Sequence, residues 1–386
     1  MISRRVVLAF GYLLVLFAIT SALLEISLRA LYPHVRAVRF ALWDQQDAAH
    51  LQYIESLEDL ALFAPMMVAP GADFVGMKVD EHGFWTPPYR REKVPGTRRL
   101  IVLGDSFAYS SGGVPFERAW PALTAEALSG EIEAPVELIN LGVPAGGTRL
   151  EKRIFEIEGA HLAPDFVILQ FFIGNDLSDE EDHRGWLMRH SMAARFYVAL
   201  SRRPAVIGVL RGNSNQIATP ADWAPGKYHY DRTAPSYPFE HFRIIQHFRA
   251  GYFLPQAEGW TRAKLAEAAA VIADLQREVE RAGARLFVVA IPDELQVNAA
   301  LREEIGGMIE EQTGVRPAMR VEEVQRDTIE IFRQHGIAAI DPLPDLLAEA
   351  ARLGESPYRP RDTHLDDRGN AVLARVIARA IANALD

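Results

Sequence analysis

A chain of 386 residues with 49% hydrophobic and 24% charged side chains has apolar mass for one large core or two small ones. A formal charge of −10, with no basic cluster standing out, argues against a nucleic-acid partner. The absence of cysteine excludes thiol catalysis, zinc–thiolate sites and disulfides.

The chain opens on "VVLAFGYLLVLFAITSALL", Val6 to Leu24, 19 residues without a charge. At about 1.5 Å rise per residue this approaches the roughly 30 Å of a bilayer's hydrocarbon layer. It is longer than the apolar core of a secretory signal, roughly 7–15 residues, and no small-x-small cleavage site follows. Residues 1–33 are therefore expected to be an uncleaved membrane anchor, with a removed signal as the alternative. Arg4 and Arg5 precede the span, and Arg29, Arg36 and Arg39 follow it, so charge alone does not orient it. A short tail ahead of a first helix is expected to stay inside, which puts the rest of the chain outside the cytoplasm.

Residues 34–97 form a mixed approach segment that includes the turn-rich, aromatic "DEHGFWTPPYRR" (Asp80 to Arg91). From Arg98 the pattern becomes regular. "RRLIVLGDS" reads as a strand meeting a turn, and Ala119 to Gly130 as a helix ending at glycine. "VELINLGVPAGG" (Val136 to Gly147) is a second strand and loop. "DFVILQFFIGND" (Asp165 to Asp176) is a third strand, apolar enough to be covered on both faces.

An interruption follows, about residues 177–260, too long for a simple connection and rich in aromatics, His and Arg. It leaves from a strand's carboxyl end and is expected to cap whatever lies there. Leu265, Ile272, Leu275 and Val279 then mark a helix, "RLFVVAIP" (Arg285 to Pro292) a strand, Val321 to His335 a helix, and Ala338 to Asp341 a short strand. Leu373, Ile377, Ile381 and Leu385 mark the last helix. Alternating apolar strands and helices predict a parallel sheet flanked by helices, with ligands beyond the carboxyl ends of the strands.

Four candidate features share that edge. Ser106 follows the first strand in "GDSF", a small-residue loop follows the second, Asn175 follows the third, and "RPRDTHLDDRGN" places Asp362 and His364 before the last helix. Taken singly each has an ordinary reading: turns favour Gly, Asp and Ser, and Asp366 and Asp367 open a helix. Taken together they fit nucleophilic catalysis. A serine hydroxyl needs an adjacent base, the base an orienting carboxylate, and the tetrahedral intermediate preorganised donors.

This constellation resembles the SGNH hydrolase superfamily, the GDSL esterases and lipases, over roughly Arg98 to Leu385. The resemblance implies a flavodoxin-like α/β sandwich with a mainly parallel sheet of about five strands. It implies Ser106 as nucleophile in the Gly104-Asp105-Ser106 block, and His364 and Asp362 as base and orienter. It also implies an oxyanion hole from the Ser106 N–H, a second-block N–H and the Asn175 side chain of Gly174-Asn175-Asp176. Two positions depart from the family pattern. Ala145 stands where the second block usually has glycine, leaving Ala145 or Gly146 as donor. Arg361 stands where the commoner pattern has Asp three residues before His, and the D-x-H spacing of Asp362 is similar to that of SGNH-like enzymes that acetylate exopolysaccharides such as alginate. "VVAIPDELQVN" (Val288 to Asn298) looks like a segment of membrane-anchored bacterial SGNH proteins and reads as strand, turn and pocket wall.

The expected function is a serine-dependent esterase acting on a carbohydrate or lipid ester, held at a bacterial inner membrane with its catalytic domain, residues 98–386, in the periplasm or outside the cell. The alternatives are an O-acetyltransferase acting on a surface polysaccharide and a non-catalytic glycan-binding scaffold. No metal or organic cofactor is expected. The expected partners are the acylated substrate and, through the N-terminal helix, a membrane.

Overall fold

The computed structural model describes residues 4–42, 48–63, 67–179, 185–201 and 219–385. Parts of the expected anchor (1–3), approach segment (43–47, 64–66) and insertion (180–184, 202–218) lie outside these.

Five strands form one sheet: β1 (Arg98–Leu103), β2 (Val136–Asn140), β3 (Phe166–Phe172), β4 (Arg285–Ile291) and β5 (Ala339–Ile340). Their order is β2-β1-β3-β4-β5, and every pairing is parallel, with Leu100 opposite Leu138 on one side and Phe166 on the other. This is the doubly wound order in which the chain reverses direction across the sheet between β1 and β3, opening a crevice at their carboxyl ends.

Strand residues alternate between two cores, as the period of two requires. Ile101, Leu103, Val167, Leu169 and Val288 face one way, toward α4 (Thr148–Ile157), α8 (Glu258–Arg281) and α10 (Val321–Gln334). Leu100, Val102, Ile168, Phe287 and Val289 face the other, toward α3 (Trp120–Glu131), α11 (Leu343–Leu353) and α12 (Asp367–Asn383). The helical stripe 265, 272, 275 and 279 is buried, as its spacing predicts.

Two expected ends move. Asp341 leaves the fifth strand because its carboxylate accepts from the Leu343 N–H at 3.0 Å and from Gln325 at 2.7 Å, opening α11 instead. Leu385 lies past the end of α12 and is exposed, whereas Leu373, Ile377 and Ile381 are buried.

The approach segment is fastened to the catalytic edge. The Asn140 amide donates to the carbonyls of Trp85 (3.1 Å) and Ala108 (2.7 Å), and the Tyr109 hydroxyl to that of Gly83 (2.9 Å). At the N-terminus α1 (Arg4–Leu31) is one helix with a mean hydropathy of 2.4 in its most apolar window. It is long and apolar enough to cross a membrane, and a signal sequence meets the same test.

The described parts of the insertion go to three places. α5 (Trp186–His190) packs on α6 (Met192–Ser201), which lies against α1. Residues 228–237 run beside the Asp362–His364 loop, where the N–H groups of Ser236 and Tyr237 donate to the carbonyls of Pro360 and Arg361. α7 (Phe239–Ala250) lies against α9 (Ala299–Thr313).

Candidate active site

Ser106 is held up by the end of β1. At Gly104 a Cβ would sit 2.4 Å from Gln170 Oε1 and 3.1 Å from the Ala108 Cβ, so only glycine lets the chain turn this close to β3. The next residue, Asp105, is fully buried; its N–H donates to Gln170 Oε1 at 2.9 Å and its Oδ1 accepts from the Phe107 N–H at 2.8 Å. That bond caps a one-turn helix, α2 (Ser106–Tyr109), and sets the Ser106 hydroxyl, partly exposed, at the carboxyl edge of the sheet.

His364 reaches this hydroxyl from the loop ahead of α12. Ser106 Oγ and His364 Nε2 are 2.7 Å apart, and His364 Nδ1 is 2.6 Å from Asp362 Oδ1. The two-residue spacing therefore suffices: Arg361, in the left-handed region at φ 49°, turns the chain so that Asp362 points back at the ring. Oδ1 also accepts the Thr363 N–H at 2.7 Å. Asp366 caps α12 through the N–H groups of Arg368 and Gly369, and Asp367 pairs with Arg118 at 2.9 Å, so neither competes for the imidazole.

The second oxygen of Asp362 is held as well. The Ser236 hydroxyl donates to Oδ2, and the Arg359 guanidinium lies 3.5 Å away. Burial by itself would push this carboxyl up, but the imidazole beside it, the bonds from His364 and Ser236 and the Arg359 charge together hold it at about 2. It is an anion across the physiological range, as an orienter of imidazolium must be. Behind the ring, Phe107 lies 4.7 Å from His364 between centroids, and Gly112 sits so close that a Cβ there would be 2.5 Å from the His364 Cβ.

The Asn175 Nδ2 donates to Asp105 Oδ2 at 2.9 Å, which fixes the amide beside the serine turn and leaves its second hydrogen for another acceptor. Gly174 has no room for a side chain: a Cβ would meet the Phe172 ring at 2.4 Å and Asp293 Oδ2 at 2.6 Å. In the second block, Gly146 donates its N–H to the Val143 carbonyl at 2.9 Å inside the turn, which removes it as an oxyanion donor. Ala145, at φ 54°, adopts the left-handed conformation that glycine usually supplies.

Three residues at this edge carry no signal readable in the sequence. Ser236 and Arg359 meet Asp362 only through the fold, the first across 126 positions. Arg249 on α7 stacks its guanidinium over the Phe172 ring at 4.9 Å and lies 3.3 Å from the buried Asp293. Asp293 caps the turn after β4, accepting from the Leu295 N–H at 2.9 Å. The neighbouring Glu294 is pushed up to about 8, chiefly by burial and further by the charges of Asp293 and Asp362, while the Asn298 bond opposes the shift.

Residues 248–386 match a family described as the SGNH hydrolase-like domain of the acetyltransferase AlgX. Over those residues the chain is similar to an SGNH hydrolase-like domain. The match takes in β4, β5, α12, Asp362 and His364, while Ser106 and Asn175 precede it. The domain makes this an ester-acting enzyme, a hydrolase or an acyltransferase. No curated protein matches the chain. Solved structures similar to it include an acetyl xylan esterase, AlAXEase, at 13% identity and a TM-score of 0.38, covering 75% of this chain and 100% of that one. Another is an Axe2 acetylxylan esterase mutant from Geobacillus stearothermophilus, at 13% and 0.37, covering 74% and 94%. A third is a lipase/acylhydrolase from Enterococcus faecalis, at 16% and 0.35, covering 74% and 96%.

Proposed function

We propose that this protein is a serine-dependent esterase of the SGNH type that acts on an acylated carbohydrate through an acyl-enzyme on Ser106. The observation that carries the reading is the continuous relay from Ser106 Oγ through His364 to Asp362, at 2.7 and 2.6 Å. Ser106 Oγ attacks the ester carbonyl as His364 Nε2 takes its proton, and the imidazolium keeps its Nδ1–H on Asp362. The oxyanion is held by the Ser106 and Ala145 N–H groups and the free hydrogen of the Asn175 amide. The proton on Nε2 then passes to the departing alkoxide, which leaves as the alcohol, and the acyl group stays on Ser106. In the second half, His364 deprotonates the acceptor, which attacks the acyl carbon, and returns the proton to Ser106 as the acid or new ester leaves.

If the acceptor is water the outcome is hydrolysis. If it is a sugar hydroxyl the outcome is acetyl transfer to a polysaccharide, a second reading favoured by the AlgX description of the matching family. In either case we divide the chain into an anchor (1–33), an approach segment (34–97) and the hydrolase domain (98–386) with its insertion at about 177–260. The anchor places the domain in the periplasm or outside the cell.

The test supplies a radiolabelled acetyl ester with and without a polysaccharide acceptor. The expected result is label in free acetate, or in the polysaccharide for the second reading, lost in Ser106→Ala and greatly reduced in His364→Ala. A folded wild type that moves no label from any of a broad panel of acetyl esters favours the glycan-binding scaffold instead.

A further inference from the structure

The apolar N-terminal helix has a second helix laid along it. α6 runs antiparallel to α1, and polar contacts fix the register. The Arg29 guanidinium donates to the His190 carbonyl at 2.6 Å. Glu25 accepts from the Ser191 hydroxyl at 2.9 Å and from the Ala193 N–H at 2.8 Å, capping α6 at its start. The hydroxyls of Ser21 and Tyr197 are 3.1 Å apart, and the Phe17 and Tyr197 rings stack at 5.8 Å. Four residues along α6 thus match four residues back along α1. Leu200, about one turn beyond Tyr197, stands level with Phe17 and Ala18. That level lies inside the uncharged stretch Val6–Leu24.

The side chains of α6 fit that depth. Its one charged residue, Arg195, is buried and donates to the carbonyls of Met188 (2.8 Å) and Arg189 (3.3 Å), so it presents no charge outward. What α6 turns outward is Tyr197 and Leu200, 37% and 42% exposed, beside an α1 whose apolar side chains are exposed along the same stretch. One step higher, at the level of Arg29, α5 exposes Trp186 (68%) and Leu187 (58%), with Trp186 stacked on His190 and Arg189 exposed next to it. Aromatic and cationic residues just outside an apolar span are the composition of a membrane–water interface.

We infer that α5 and α6 make a second membrane contact: α6 enters the outer part of the bilayer alongside α1, and α5 lies in the headgroup layer with Trp186 and Leu187 toward the lipid. This rests on reading α1 as a retained membrane span. The occupant is lipid rather than a helix of another protein, because the outward described residues of α6, Tyr197 and Leu200, offer no charge and the Tyr197 hydroxyl is already engaged by Ser21. The same geometry makes the anchor part of the folded domain, since Glu25 supplies the α6 cap.

The chain contains no cysteine, so single-cysteine variants report one place each. Full-length Leu13→Cys, Leu187→Cys, Leu200→Cys and, as an aqueous control, Arg277→Cys are labelled with bimane and reconstituted in phosphatidylcholine–phosphatidylglycerol vesicles with or without brominated phosphatidylcholine. The expected result is loss of emission from brominated lipid at positions 13, 187 and 200, and none at 277. Position 187 reports the same contact if position 200 does not tolerate cysteine. Quenching at 13 but at neither 187 nor 200 overturns the inference and leaves the anchor standing. No quenching at 13 overturns the anchor, and the inference with it. Protection of 187 and 200 from aqueous iodide without quenching by brominated lipid assigns the surface to a second copy of the chain and also overturns it.

Discussion

Gly112→Ala separates the geometry of His364 from the chemistry of its ring. The substitution removes no reacting group. Gly112 has φ 69°, and its Cβ would lie 2.5 Å from the His364 Cβ and 3.1 Å from Cγ, where ordinary contact begins near 3.4 Å. The imidazole must therefore retreat by about 1 Å, and a misplacement of that size costs on the order of 100-fold in rate. The left-handed backbone adds about 1–2 kcal/mol of destabilisation, a shift of several degrees in Tm but not unfolding. The assay is hydrolysis of a chromogenic acetyl ester in detergent, alongside thermal unfolding of the same samples. A roughly 100-fold fall in kcat/KM with the fold retained is expected. Wild-type turnover in a folded Gly112→Ala protein would refute the reasoning, because the serine–imidazole bond would then not depend on that packing.

Three further outcomes follow from the same contacts. Asn175→Ala removes one of the proposed oxyanion donors and should lower kcat on the order of 10²–10³-fold while changing KM little, measured by steady-state kinetics. Ser236→Ala leaves Asp362 Oδ2 with the Arg359 guanidinium alone, so its carboxyl rises from about 2 toward the ordinary range. Activity should fall about tenfold, and its acid-side loss should move to higher pH, a shift that simple structural loosening would not produce. Glu294 is held up to about 8, so the folded state binds its proton more tightly than the unfolded chain, and stability falls as pH rises from the usual carboxylate range through 8. Glu294→Gln should therefore gain on the wild type between pH 5 and pH 8 in urea midpoints, and an unchanged gap would contradict the shift.

The sheet was legible because β1, β3 and β4 each hold an apolar run (100–103, 166–169 and 286–291), the pattern of strands covered on both faces. Ser106, Asn175, Asp362 and His364 were legible because each follows a strand or precedes the last helix, at the same edge. The D-x-H spacing could not be judged from sequence, since it works only through the left-handed turn at Arg361. Ala145 had the same difficulty: whether a non-glycine residue takes φ 54° depends on the loop around it. Ser236, Arg359 and Gly112 were invisible because their relation to Asp362 and His364 is purely tertiary. A serine in "APSYP" and an arginine in "PYRPRD" look like any loop residues. The insertion announced itself by length and composition, but its division between α1, the acid loop and α9 is a matter of packing that no local pattern encodes.

Mapping a fluorophosphonate adduct by peptide mass spectrometry tests the central claim most directly. The account predicts a single adduct on Ser106 in the folded wild type, absent from Ser106→Ala and formed far more slowly in His364→Ala. A folded wild type that stays unlabelled, or that carries its adduct on another residue, would contradict it.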